Sequence, residues 1–152
     1  MRRTLVPPTA VLAGGATTVL WIGGVLLTHA VDASSTVEAL NTIGQLSTLL
    51  LTAGIPGGLV TGALADDYAP LMKQGMLAVV GGATAVVVAV GGYGIALSIS
   101  LGYGADSVLT LMFTAPTMFT FVALVPMMAI EGVVFALVGE SIAGQLRKRA
   151  AV

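Results

Sequence analysis

Charged residues interrupt this chain at few places, and long apolar stretches lie between them. Residues 8–31 and 39–65 carry no charge, and residues 71–101 carry only Lys73, near the start of the stretch. Residues 107–130 are uncharged, Glu131 follows, and apolar residues continue to Leu146. A helix crosses the hydrocarbon core of a bilayer with about 20 apolar residues, so each stretch is long enough to span. Local signals agree with helix ends. Ser35 and Glu38 have the S-x-x-E spacing of a capping box ahead of the second stretch. Pro70 suits the first turn of the third, and Gly102, Tyr103 and Gly104 stop it.

The last stretch is long enough for two crossings. The region around Leu124 to Met128 offers no turn cluster beyond the lone Pro126, and a fifth crossing would move Arg147, Lys148 and Arg149 to the other side. The pattern therefore predicts a lead-in or interfacial segment over 107–115 and one long helix from Pro116 to about Gln145. The first stretch has a rival reading. Arg2 and Arg3 ahead of an apolar run resemble a signal peptide, and Val31-Asp32-Ala33 offers a cleavage site. Its apolar run, however, exceeds the usual signal-peptide core of about 7–15 residues.

The basic residues set the topology. There are six, Arg2, Arg3, Lys73, Arg147, Lys148 and Arg149, and the connections at 32–38 and 102–106 contain none. Short loops bearing Lys or Arg stay in the cytoplasm. The expected architecture is an all-α membrane protein, a single domain over 1–152. Its four transmembrane helices, at about 8–31, 39–65, 71–101 and 116–145, form an antiparallel bundle. Both termini are expected in the cytoplasm and the chain in the cell membrane.

Composition narrows the chemistry. Of the 152 residues, 57% are hydrophobic and 9% charged, against about 25% charged in ordinary soluble domains. A net charge of −1 implies no nucleic-acid partner; the basic residues serve as topology anchors. Without cysteine there is no disulfide, thiolate metal site or thiol nucleophile, and one histidine excludes bis-histidine haem ligation within one chain. No nucleotide loop, metal cluster or nucleophile–base pair is present, so no cofactor, metal or enzymatic activity is expected.

Gly54, Gly58 and Gly62 recur every fourth residue in the second stretch, which puts them on one helix face and admits a second backbone. Pro56 removes the hydrogen bond to the Thr52 carbonyl and predicts a bend. Ala78 with Gly82, and Gly81 with Ala85, offer small faces on the third stretch. The short connection through Asp66, Asp67 and Lys73 suggests that the second and third helices form the close-packed pair. The same face could serve a homo-oligomer seam or line a cavity. The run Gly57-Gly58-Leu59-Val60-Thr61-Gly62, a polar turn, and Lys73-Gln74-Gly75-Met76-Leu77-Ala78-Val79-Val80-Gly81-Gly82 resembles the central hairpin of a family of small haloarchaeal membrane proteins of uncharacterised function. Residues 132–144 are loosely similar to that family's last helix. The resemblance covers about half of the chain. It implies a glycine-rich multi-pass bundle and supplies no catalytic residue.

Glu131 is the one ionisable residue well inside a stretch. It lies nine residues before Glu140, roughly 13 Å along a helix. If Glu140, Ser141 and Gln145 mark the inner interface, Glu131 falls near the bilayer midplane. A charged carboxylate is costly there, so protonation or pairing is expected. The chain has no intramembrane Lys or Arg for it, which leaves hydroxyls such as Thr84, Ser98, Ser100, Thr48 or Thr52 as partners. Helical geometry places Leu124, Met127, Phe135 and Val138 around Glu131, with Gly132, Ala136, Gly139 and Ala143 about a quarter-turn or more away. Glu131 then stands on the shoulder of the small face, or towards lipid or another subunit. Four spans with a carboxylate in the last resemble the rotor proteolipids of vacuolar and archaeal ATPases. Those have their termini outside, opposite to the orientation expected here.

Smaller features have modest readings. His29 and Asp32 are expected at the outer interface, Asp66 and Asp67 in a solvated turn, and Trp21 as a packing residue in mid-span. The functional expectation is a structural or accessory subunit that acts through helix packing in the lipid bilayer, with itself or with a membrane-protein partner. The alternative is a small oligomeric proton- or cation-coupled transporter with Glu131 as the coupling group. A lone carboxylate would lack the second group that acid–base enzyme chemistry requires.

Overall fold

The computed structural model describes residues 9–28, 49–65, 69–102 and 115–150. These form four helices and no strand: α1 (Thr9–Thr28), α2 (Gly54–Ala63), α3 (Leu71–Ser100) and α4 (Ala115–Ala150). Arg2, Arg3, His29, Asp32, Ser35, Glu38, Thr48, Asp66, Asp67 and residues 107–114 lie outside the described residues.

Backbone chemistry explains the helix ends. Pro70 cannot donate, but its carbonyl accepts from Lys73 N at 2.8 Å and Gln74 N at 3.1 Å as α3 begins. The exit from α3 is a turn in which Gly102 N donates to Ile99 O at 3.1 Å while Gly102 adopts φ +79°, a conformation suited to glycine. Ahead of α2, residues 49–51 form a helical turn that breaks at Thr52 and Ala53. Pro56 has no N–H for the Thr52 carbonyl, which instead accepts from Ile55 N at 3.1 Å. Thr52 N and Ala53 N likewise make tight bonds to Leu49 O and Leu50 O, at 3.2 and 3.0 Å. The bend expected at Pro56 is thus a break one turn upstream. α4 runs through Pro126 without interruption and ends at Ala150, beyond the Gln145 expected from the sequence. Arg147, Lys148 and Arg149 occupy its last turn, where cations complement the helix dipole.

Inter-helix contacts fix the directions. Gly14 lies against Thr61 and Gly57, Thr18 against Gly57, and Trp21 against Thr52, so α1 and α2 are antiparallel. Gly15 meets Ala78 and Thr18 meets Gly82, so α1 and α3 are parallel. Gly54 meets Met128 and Glu131, and Leu59 and Ala63 meet Gly139, so α2 and α4 are also parallel. Gly75 faces Ala136 and Val79 faces Gly132, so α3 and α4 are antiparallel. The chain therefore runs up, down, up, down. α2 packs most extensively on α4 and least on α3. The close second-to-third pair expected from the short connection is replaced by a close second-to-fourth pair.

The interior is small and the exterior is large. Ala10, Ala53, Ala78, Ala136 and the hydroxyl-bearing Thr18 and Thr61 are fully or almost fully buried. Leu20, Leu27, Val88 and Tyr93 are 74%, 82%, 67% and 71% exposed. The larger buried groups are few: Ile22, Val79 and Met128 cluster with Ala53 and Ala83, flanked by Leu50 and Val86. Soluble domains bury their large aliphatic side chains; this fold turns them outward. Leu71–Tyr93, of 23 residues, and Ala123–Ala150, of 28, are each long and apolar enough to cross a membrane.

Candidate functional site

The small face of α2 positions the one interior carboxylate among the described residues, Glu131. A methyl group on Gly54 would lie 2.5 Å from Glu131 Cβ and 2.8 Å from Met128 O. On Gly58 it would lie 2.8 Å from Gly132 O and 3.0 Å from Phe135 Cβ, and on Gly62 it would run into the Ala136 carbonyl. Only glycine admits α4 at this distance. From the opposite helix, Gly132 packs 2.7 Å from Val79 Cγ2 and 2.8 Å from Gly75 O, measured from the same methyl position, and Gly139 packs on Leu59 and Ala63. The other small pair, Ala78 and Gly82, faces α1: a methyl on Gly82 would lie 2.7 Å from Gly15 O and 2.9 Å from Thr18 Cβ. Gly81 is open, with nothing within 4 Å of a methyl group.

Hydroxyl groups inside the bundle satisfy their own helices. Thr18 Oγ1 donates to Gly14 O at 3.0 Å and Thr61 Oγ1 to Gly57 O at 2.8 Å. With the proton so used, threonine packs as a small apolar residue. Gln74, also buried, donates through Nε2 to Ala69 O at 2.7 Å and braces the entry to α3.

Glu131 occupies the α2–α4 contact, about 24 Å along α4 from Arg147. The backbone N–H of Gly54, first residue of α2, faces the carboxyl group. Its Oε2 is buried and has no hydrogen-bond partner among the described residues. The helix break at Thr52 and Ala53 exposes this N–H, and the positive end of the α2 dipole complements a carboxylate.

Of the hydroxyl partners expected from the sequence, Thr84, Thr52 and Ser100 do not fill this role. Thr84 Oγ1 donates to Val80 O at 2.7 Å. Thr52 Oγ1 donates to Leu49 O at 2.6 Å and accepts from Trp21 Nε1 at 3.2 Å. Ser100 is exposed at the far end of α3, and Thr48 and the Ser98 side chain lie outside the described residues. The group that faces the carboxyl beside the break is the Gly54 backbone N–H. Trp21, expected as a packing residue, is 44% exposed and bridges α1 to the break in α2 through its indole N–H. Glu140 is exposed, while Gly132, Ala136 and Gly139 are buried and Ala143 is half-buried. Glu131 thus sits beside the small face and turns to α2.

The directions of the helices put Lys73 and the Arg147–Lys148–Arg149 turn at one end of the bundle. There Arg147 Nη2 donates to Ala63 O at 3.2 Å, capping the C-terminus of α2. The sequence-derived reading missed this cap, together with the burial of Gly14, Thr18, Thr61 and Gln74. The small-xxx-small spacing of Gly14 and Thr18, and of Gly57 and Thr61, was the available signal. Among the described residues no group of three His, Asp or Glu side chains forms a metal site.

No family model matches the chain, and no curated protein or solved structure matches it.

Proposed function

We propose that this is a four-span integral membrane protein, with both termini in the cytoplasm, that acts as a structural or accessory component through helix packing. The observation that carries this reading is the inverted distribution of side-chain size. Glycine, alanine and threonine form the contacts between helices, and leucine, isoleucine and valine form the outer surface. Water would penalise such a surface, whereas a bilayer solvates it and leaves close backbone packing to hold the helices together. The clustering of Lys73, Arg147, Lys148 and Arg149 at one end supports the sidedness. The test is purification of a tagged chain from native membranes. A membrane-protein partner should be recovered in fixed proportion, and Glu131→Gln should leave that recovery unchanged.

A second reading rests on Glu131. A buried carboxyl oxygen beside a broken helix supports a proton- or cation-coupled transporter. Purification as a homo-oligomer, with pH-dependent liposome flux abolished by Glu131→Gln, would overturn the accessory reading in its favour.

A further inference from the structure

We propose that the basic end of the bundle binds the phosphate of anionic phospholipids through Lys73, Lys148 and Arg149, with Arg147 serving the fold instead. This rests on the membrane reading above and assigns a partner to one end of the molecule.

The four cations do not have equal roles. Arg147 is engaged with Ala63 O at 3.2 Å, and that bond ties the last turn of α4 to the end of α2. Lys148 and Arg149 follow it directly, in the same turn, and both are exposed. Lys73 is exposed in the first turn of α3, which begins at the same end because α3 and α4 are antiparallel. No acidic side chain among the described residues pairs with any of these three. Glu140, the nearest acid along α4, lies eight residues before Lys148, about 12 Å away along the axis.

The surroundings favour a lipid headgroup as the counter-ion. Leu146 and Ile142, 61% and 51% exposed, precede the cations on α4, and Met72, 55% exposed, precedes Lys73 on α3. Each cation therefore stands at the rim of an apolar surface, with a long stem able to lie along acyl chains while its head reaches the phosphate layer. Lysine supplies a point charge and arginine a planar fork, and both suit phosphate oxygens. The connections expected at the other end, 32–38 and 102–106, carry no Lys or Arg, so the preference would belong to one leaflet.

The test uses the full chain reconstituted in nanodiscs of equal phosphatidylglycerol and phosphatidylcholine, then extracted in mild detergent. Lipids retained by the protein are counted by mass spectrometry. Phosphatidylglycerol should be retained in several-fold excess. The excess should fall towards parity in Lys73→Gln/Lys148→Gln/Arg149→Gln, while the phosphatidylcholine count is unchanged. Arg147→Gln should keep most of the excess. Millimolar inorganic phosphate should not displace the lipid. Equal retention of both lipids by the unaltered chain would overturn the proposal, as would an undiminished excess in the triple variant or displacement by free phosphate. A chain that stays in the aqueous phase and never enters nanodiscs would instead overturn the membrane reading itself.

Discussion

Replacing Gly58 with alanine tests the close approach of α2 and α4. The new methyl would lie 2.8 Å from Gly132 O, about 0.6 Å short of the 3.4 Å of ordinary contact. Gly132 O belongs to a helix backbone and the methyl is bonded directly to one, so neither can swing away; the helices must part. A gap of about 0.5–1 Å forfeits a quarter to a half of each dispersion contact along the seam. Overpacking of this kind costs about 1–3 kcal/mol. Alanine offsets about 1 kcal/mol through its higher helix propensity, leaving a net loss of up to about 2 kcal/mol. Gly81→Ala is the matched control, because nothing lies within 4 Å of its methyl position. There the propensity gain stands alone, and stability should stay level or rise by up to about 1 kcal/mol. The assay is unfolding of the purified protein in mixed micelles by titration with a denaturing detergent. Gly58→Ala should unfold earlier than the parent, and Gly81→Ala at the same point or later. Equal midpoints for the two variants would refute the seam.

Other perturbations probe separate contacts. Trp21→Phe removes the indole donor to Thr52 and should cost about 0.6 kcal/mol, typical of a hydrogen bond between membrane helices, in the same titration. Arg147→Gln removes the cation from the C-terminus of α2 and should cost about 0.3–1 kcal/mol, a loss that Arg147→Lys would partly restore. Gly54→Val places a branched side chain where one methyl already falls 2.5 Å from Glu131 Cβ; it should abolish recovery of folded protein, as judged by size-exclusion chromatography.

Much of the fold was legible in the sequence because its signals are local. Pro70 and Gly102 bracket α3 through the limits each sets on the backbone, whereas the uncharged 39–65 stretch is broken at Thr52 and Ala53 and α4 runs on through Arg147, Lys148 and Arg149. Packing partners were less legible. The Gly54–Gly58–Gly62 face announces a close approach but does not say to which helix, and adjacency in the chain pointed to α3 where the structure has α4. In a soluble bundle the contrast of polar and apolar faces would orient each helix; here nearly every face is apolar, and size alone decides. The group facing Glu131 was illegible for another reason. A freed backbone N–H at Gly54 has no side chain to mark it, whereas the candidate hydroxyl of Thr84 is visible in the sequence but occupied by its own helix.

The central claim is that the chain crosses the bilayer four times with its basic end in the cytoplasm. The chain lacks cysteine, so single introduced cysteines report cleanly. Ser34→Cys and Gly104→Cys sample the two connections without basic residues, and Asp67→Cys and Val152→Cys the connection before Lys73 and the C-terminus. Intact cells are treated with a membrane-impermeant maleimide, and labelling is compared with that after permeabilisation. The account predicts labelling at residues 34 and 104 in intact cells, and at 67 and 152 only after permeabilisation. Labelling of all four positions from one side would contradict it.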